Sequence, residues 1–110
     1  MNYGLSTVLL HRHKLEPALK RIAAAGISRI EMSAEPPHLN PGDYHIPEIK
    51  ALLNDLGLSA PVGHGLYSHG LPNLAALDES QRQETVAYVQ TCFEPLMNVG
   101  VEIVVLHPTG

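Results

Sequence analysis

The stretch VEIVVLH, Val101–His107, is a run of mostly apolar and β-branched residues that leads directly into a histidine. A run of this length and composition is typical of a β-strand, so the histidine is expected at the carboxyl end of the strand. Two other predicted strands, Gly4–Leu10 and Leu58–Val62, are also followed within two residues by a histidine, His11 or His64. The arrangement of these strands therefore decides whether the histidines meet.

Helical patterns separate the predicted strands. Apolar residues recur at helical spacing after each of the first three strands, and Gly26, Gly57 and Gly100 are the expected stop signals. Asp78 is the expected N-cap of the third helix, and Pro95 is expected to kink it because proline removes a helical hydrogen bond. The predicted elements, in chain order, are strand Gly4–Leu10, helix Lys14–Gly26, strand Ser28–Ser33, helix Ile46–Gly57, strand Leu58–Val62, helix Asp78–Val99 and strand Val101–Leu106.

The alternation β-α-β-α-β-α-β predicts parallel strands with right-handed crossovers, which fits an open doubly wound sheet or part of a (β/α)8 barrel. A doubly wound nucleotide-binding fold would carry a glycine-rich turn after its first strand, but that strand ends in LLHRHK. Polar side chains at successive strand ends, including Glu31 in the second, are typical of a barrel active site. We therefore predict an α/β fold that forms part of a (β/α)8 barrel, with four parallel strands and three intervening helices.

The composition predicts a folded, soluble protein of the cytoplasm. Hydrophobic residues make up 45% of the chain and charged residues 16%, which excludes a disordered chain. A net charge of −4 argues against a nucleic-acid partner, whose phosphates require clustered Lys and Arg. The amino terminus lacks a signal-peptide pattern and no apolar run could span a bilayer, so no membrane partner is expected. The single cysteine, Cys92, excludes an intrachain disulfide.

Four stretches, in order, resemble the sugar phosphate isomerase/epimerase family. These xylose isomerase-like TIM barrels (AP endonuclease family 2) also include the endonuclease IV type of DNA repair enzyme. GLSTVLLHRHKLEPALKRIAAAGISRIEM is similar to the family's opening strand, helix and second strand, and PPHLNPGDYHIPEIKALLNDLGL to its next loop and helix. VGHGLYSHGLPNLAALDESQRQETVAYV resembles its third strand and helix, and VEIVVLHPTG its fourth strand. Pro61, Gly65, Leu66 and Pro95 depart from the family pattern.

The resemblance implies eight strands, of which this chain would supply the first four as a fragment. Residues 1–110 would then be a single partial domain, the N-terminal half of the barrel. It also implies a divalent metal, Mn, Mg, Zn or Co, in the full-length protein, held mainly by carboxylates and a histidine from later strands. His64 and His107 are the candidate metal ligands in this half, because endonuclease-type members bind zinc with histidines at these strand ends. The alternative is that each imidazole hydrogen-bonds substrate, water or a neighbouring side chain.

Four further residues are candidates for the pocket. Glu31 either orients a sugar hydroxyl or a histidine, or is a buried carboxylate paired with a cation. His11, at the predicted end of the first strand, is either a pocket residue or a solvated loop histidine. Tyr67 and Asn73 lie in a long predicted loop, Gly63–Leu77, and match family positions there. Alternatively, Tyr67 packs on the barrel rim and Asn73 only satisfies loop backbone groups.

Three functions follow from these observations. The first is a metal-dependent isomerase or epimerase that takes a sugar or sugar phosphate and moves a proton next to its carbonyl. The second is an endonuclease IV-type phosphodiesterase with zinc on His64 and His107, which the acidic net charge disfavours. The third is a catalytically inactive half-barrel that self-associates through its unpaired edge strands.

The purified 110-residue chain, supplied with Mn²⁺, is expected not to epimerise a ketose, because the family's main metal ligands come from later strands. Chromatography of the sugar after incubation measures this, against a blank that contains Mn²⁺ and no protein. Conversion above the blank would contradict the prediction.

Overall fold

The sheet consists of four parallel strands in the order of the chain. The computed structural model describes residues 3–39, 45–66 and 73–108. The strands are β1 (Gly4–Ser6), β2 (Arg29–Ser33), β3 (Ser59–His64) and β4 (Ile103–Val105). Each strand pairs with the next one along the chain, as in a barrel, whereas a doubly wound sheet reverses its strand order. The predicted α/β half-barrel architecture is confirmed.

The helices pack on one face of this sheet. They are α1 (Leu15–Ala24), α2 (Ile46–Asp55), α3 (Glu79–Gln90) and α4 (Phe93–Asn98). Leu19 of α1, Leu53 of α2 and Leu96 of α4 form one buried cluster with Ile30 and Met32 of β2. Removal of this apolar surface from water is the main stabilisation of the arrangement. No helix in the described part of the chain is both long enough and apolar enough to cross a membrane.

Glycines end the first two helices as predicted. Gly26 and Gly57 follow α1 and α2 by two residues and have φ angles of 79° and 66°. Only glycine adopts this left-handed conformation without a steric cost, so each closes its helix at the C′ position.

The first strand is shorter than predicted. The strand Gly4–Leu10 was expected, but β1 ends at Ser6 and residues Thr7–Leu10 form a 3₁₀ helix. The Ser6 hydroxyl accepts a hydrogen bond from Val8 N at 3.3 Å and so caps this turn. The buried Thr7 hydroxyl accepts another from Ser33 N at 3.0 Å. These two backbone N–H groups thus bond to side-chain hydroxyls, and not to the carbonyl groups of a paired strand.

The third strand contains a β-bulge at Pro61. Arg29 pairs with Ser59 and Glu31 pairs with Val62, so Ala60 and Pro61 together face the single residue Ile30. Proline has no N–H to donate, and a bulge is where a strand can accommodate it. Beyond the bulge β3 continues through His64, so the prediction that Gly63 and His64 begin a loop is wrong.

The face of the sheet opposite the helices, the inner face, carries the polar side chains. Ile30 and Met32 are buried on the helix side, so Glu31 and Ser33, which alternate with them, lie on the inner face. Ser6 pairs with Glu31, and His64 pairs with Ser33. Paired residues of neighbouring strands share a face, so all four belong to the inner face.

The fourth strand is also shorter than its predicted range. β4 covers only three of the residues Val101–Leu106, because its pairing with β3 is confined to Val62–His64. Glu102 N donates to Pro61 O at 2.9 Å, so hydrogen bonding to β3 begins just before β4.

The predicted third helix is two helices. Asp78 is the N-cap as expected, since its Oδ1 accepts from Gln81 N at 2.9 Å. The helix does not continue with a kink but ends at Gln90, and α4 begins at Phe93. Pro95 lies in the first turn of α4, where a backbone N–H has no helical partner, so the break removes the cost that proline would impose inside a helix.

Gly63 is expected to be essential for packing between β3 and the helices. A Cβ at this position would lie 3.0 to 3.1 Å from both Leu96 methyl carbons and from Val101 Cγ1. Because these neighbours are buried, Gly63→Ala should lower the free energy of unfolding by about 1–3 kcal/mol, as overpacking does. Urea unfolding followed by circular dichroism measures the change.

Gly4→Ala is the matched control for Gly63→Ala. It is also a strand glycine, but its added Cβ would meet nothing closer than 3.5 Å, an ordinary contact. Equal stability of the two variants would contradict the expected role of Gly63.

Candidate functional site

Four side chains form a polar row across the carboxyl ends of the strands. Its members are Ser6, Glu31, His64 and His107. Ser6 Oγ donates to Glu31 Oε1 at 2.6 Å, and His64 Nδ1 lies 3.4 Å from the same oxygen. The rings of His64 and His107 follow, with centroids 5.0 Å apart and planes tilted by 37°. The fold therefore brings together Glu31, His64 and His107, which lie far apart in the sequence.

The members of the polar row differ in their exposure to solvent. The side chain of His64 is 13% exposed and that of Glu31 is 26% exposed, and the Nε2 atom of His64 is buried. His107, beyond the end of β4, is exposed. A ligand that approaches the carboxyl edge of the sheet thus meets His107 first, with His64 beneath it.

The segment that follows β3 contacts the segment that follows β4. Ala75 N donates to Pro108 O at 3.2 Å, which brings the chain around Asn73 to the chain around His107. Asn73 Oδ1 is buried and has no hydrogen-bond partner among the described residues. Asn73 therefore lies at the same end of the sheet as the polar row, whereas Tyr67 is outside the described residues.

His11 lies outside the polar row, because β1 ends five residues earlier in the chain. It is exposed at the end of the 3₁₀ helix, where its Nδ1 is 3.2 Å from Val8 O. Ser6 occupies the strand-end position instead, although it was not among the residues predicted for the pocket. The Ser-Thr pair inside an otherwise apolar run is the signal that points to it, since such hydroxyls often cap turns.

The sequence profile of the xylose isomerase-like TIM barrel family matches residues 19–110, most of the chain and all but one member of the polar row. The chain belongs to this family. The resemblance on which the expected fold rests is thereby confirmed.

Three solved structures that resemble this chain show the same fold. A D-tagatose 3-epimerase-like protein superposes with a TM-score of 0.78 at 24% identity, over 99% of this chain and 38% of that protein. A D-psicose 3-epimerase in the presence of D-fructose gives 0.72 at 16% identity, over 98% and 37%. A xylose isomerase-like TIM barrel/4-hydroxyphenylpyruvate dioxygenase fusion protein gives 0.68 at 17% identity, over 96% and 16%.

This chain spans at most 38% of the length of each of these three proteins. No curated protein matches it in sequence.

The described residues do not suffice for a metal site. They contain no group of three or more His, Cys, Asp and Glu side chains placed to hold a metal ion. His64 and His107 provide two imidazoles, whereas a catalytic zinc site takes three ligands from the protein. The arrangement instead provides hydrogen-bond donors and acceptors, and groups that can take or give a proton.

His38 contacts the loop between the 3₁₀ helix and α1. Its side chain is buried, and its Nε2 lies 3.3 Å from Leu10 O and 3.1 Å from His13 O. A neutral ring that donates from Nε2 holds these carbonyls in place. His38 thereby fixes the loop between the 3₁₀ helix and α1.

Stability is expected to fall when the solution is acidified through the range in which His38 titrates. Burial is the main cause that lowers the pKa of His38 below its usual 6.5 in the folded chain, and the nearby His11 and His13 act in the same direction. The unfolded chain therefore binds more protons as the pH falls through 6.5, and this contribution to stability is full above that pH and lost below it. Urea unfolding measured above and below pH 6.5 should show the loss.

His38→Gln tests the source of this loss, because glutamine keeps an N–H donor and does not titrate. The variant should lose less stability on acidification than the original chain. If His38→Gln loses as much stability as the original chain, His38 is not the group responsible.

Proposed function

We propose that this chain forms part of the catalytic mouth of a sugar isomerase or epimerase, which moves a proton at a carbon next to a ketose carbonyl. The observation that carries the proposal is the polar row, which places one carboxylate and two imidazoles at the carboxyl ends of consecutive parallel strands. Barrel enzymes build their active sites at this end. Membership of the xylose isomerase-like family and the likeness of the fold to ketose 3-epimerases support the choice of substrate class.

The two imidazoles are the groups proposed to meet the sugar. Glu31 Oε1 is already engaged by Ser6 and faces His64, so this carboxylate oxygen is directed at protein groups. His107 is exposed and His64 lies beside it. An imidazole nitrogen can hydrogen-bond a sugar hydroxyl. It can also accept a proton from one position of the sugar and deliver it to another.

Dependence on a divalent metal, Mn, Mg, Zn or Co, is part of the proposal for the whole protein. Such a metal would polarise the sugar carbonyl, which makes the neighbouring proton easier to remove. Ligation by His64 and His107 stays a prediction, and it requires further ligands from outside the described residues. The roles proposed for the two imidazoles in this chain are therefore hydrogen bonding and proton transfer.

A small neutral or phosphorylated sugar is the proposed partner, rather than nucleic acid or a membrane. The net charge of −4 favours this choice.

Self-association through the sheet edges is a further proposal, since β1 and β4 each pair with one strand in the described part of the chain. On β4, Ile103 is 62% exposed and Val105 is 41% exposed. A cytoplasmic location stays a prediction.

Ketoses are expected to bind at the polar row. When D-tagatose or D-psicose is added to the ¹³C,¹⁵N-labelled chain, the imidazole signals of His64 and His107 should shift, with a Kd of about 1 mM or weaker, near the upper end of usual KM values. His107→Ala should weaken binding, because it removes the exposed imidazole. His13→Ala, at a histidine outside the row, is the matched control.

A DNA duplex with an abasic site serves as the competing ligand. Shifts of His64 and His107 with this duplex and not with ketoses would overturn the proposal and favour the phosphodiesterase alternative.

Turnover tests the role of His64 in the protein as its cells produce it. There, His64→Ala should lower the kcat of ketose epimerisation by about 100-fold or more, the usual contribution of a proton-transfer group. Unchanged turnover would also overturn the proposal.

A further inference from the structure

One oxygen atom connects three strands at the site. Glu31 Oε1, on β2, accepts the hydrogen bond of Ser6 from β1 and faces Nδ1 of His64 from β3. The strand register explains this geometry. Ser6 pairs directly with Glu31, whereas His64 lies two residues beyond Val62, the partner of Glu31 on β3.

The Ser6 hydroxyl has a fixed direction. Its oxygen accepts a hydrogen bond from Val8 N at 3.3 Å, within the cap of the 3₁₀ helix. Its hydrogen therefore points elsewhere, and Glu31 Oε1 at 2.6 Å receives it. The carboxylate of Glu31 is thus held in one orientation by a group that is itself held by the backbone.

An ionised carboxylate only accepts hydrogen bonds, so the ring nitrogen that faces it is favoured as N–H. A neutral imidazole carries one proton, and a carboxylate beside one nitrogen leaves the lone pair on the other. For His64 the nitrogen beside Glu31 is Nδ1. In water, by contrast, the Nε2–H form is the more populated tautomer of a histidine side chain.

We propose that Ser6 and Glu31 are positioning residues that hold neutral His64 as the Nδ1–H tautomer, with an acceptor lone pair on Nε2. The distance of 3.4 Å is longer than an optimal hydrogen bond, as is common before a ligand closes a site. A lone pair on Nε2 can receive a proton or a hydrogen bond, whereas an Nε2–H group could do neither. The use of this lone pair on a ketose rests on the proposed function, but the tautomer itself does not.

The tautomer of His64 can be read directly from long-range ¹H–¹⁵N spectra of the imidazole rings. The original chain should show His64 mainly as Nδ1–H. Glu31→Leu should remove this preference, because leucine offers no acceptor to an N–H at Nδ1, and His64 should move toward the Nε2–H form. Ser6→Ala should give an intermediate result, because the carboxylate remains but loses the bond that orients it.

Two variants serve as controls. Ser6→Thr keeps the hydroxyl and should keep the tautomer of the original chain. Ser59→Ala removes an exposed serine hydroxyl from the opposite end of the sheet and should change nothing. Backbone amide spectra establish that each variant is folded before its rings are compared.

A His64 that is mainly Nε2–H in the original chain, or that is unchanged in Glu31→Leu, would overturn the proposal. So would a ketose titration in which the Glu31 carboxyl signal shifts and His64 does not, because Glu31 would then contact the sugar itself. The expected tautomer without ketose binding would leave the positioning role in place and remove the proposed function. Ketose binding with an unchanged tautomer in Glu31→Leu would leave the proposed function in place and remove the positioning role.

Discussion

The hydrogen bond from Ser6 to Glu31 ties the edge of the sheet to the centre of the site. Ser6 is available to donate because β1 ends there and its oxygen accepts from the 3₁₀ turn that follows. The same residue therefore ends a strand, caps a turn and orients a carboxylate. Glu31 in turn faces His64, so the geometry at β3 depends on a serine two strands away.

The sequence predicts the features that depend on local patterns. The alternation of strand and helix signals predicts parallel strands joined by helical crossovers. The glycines at 26 and 57 mark helix ends because few other residues adopt a positive φ. The position of Glu31 between two apolar residues correctly indicates that it faces away from the helices. Such patterns are visible in a few neighbouring residues and need no knowledge of distant contacts.

Contacts between distant residues account for what the sequence does not predict. Thr7 and Val8 are β-branched and favour a strand, yet the Thr7 hydroxyl bonds to Ser33, 26 residues away, and the chain turns. His38 has the flanking residues of a loop, but its burial depends on carbonyls 25 and 28 residues away. In both cases a side chain satisfies backbone groups of a distant segment, a contact that no local pattern contains.

The bulge at Ala60 and Pro61 decides which side chains of β3 reach the site. Side chains alternate along a strand, so without the extra residue Gly63 would face Ser33 and His64 would point toward the helices. Val62 would then lie opposite Met32, beside Leu96 and Val101, which leave too little room even for a Cβ at position 63. With the bulge, the glycine takes the crowded position and His64 faces Glu31. Pro61 disfavours a regular strand, yet it fits the bulge because it has no N–H to pair. The residue that weakens the strand pattern is therefore part of what places His64 in the site.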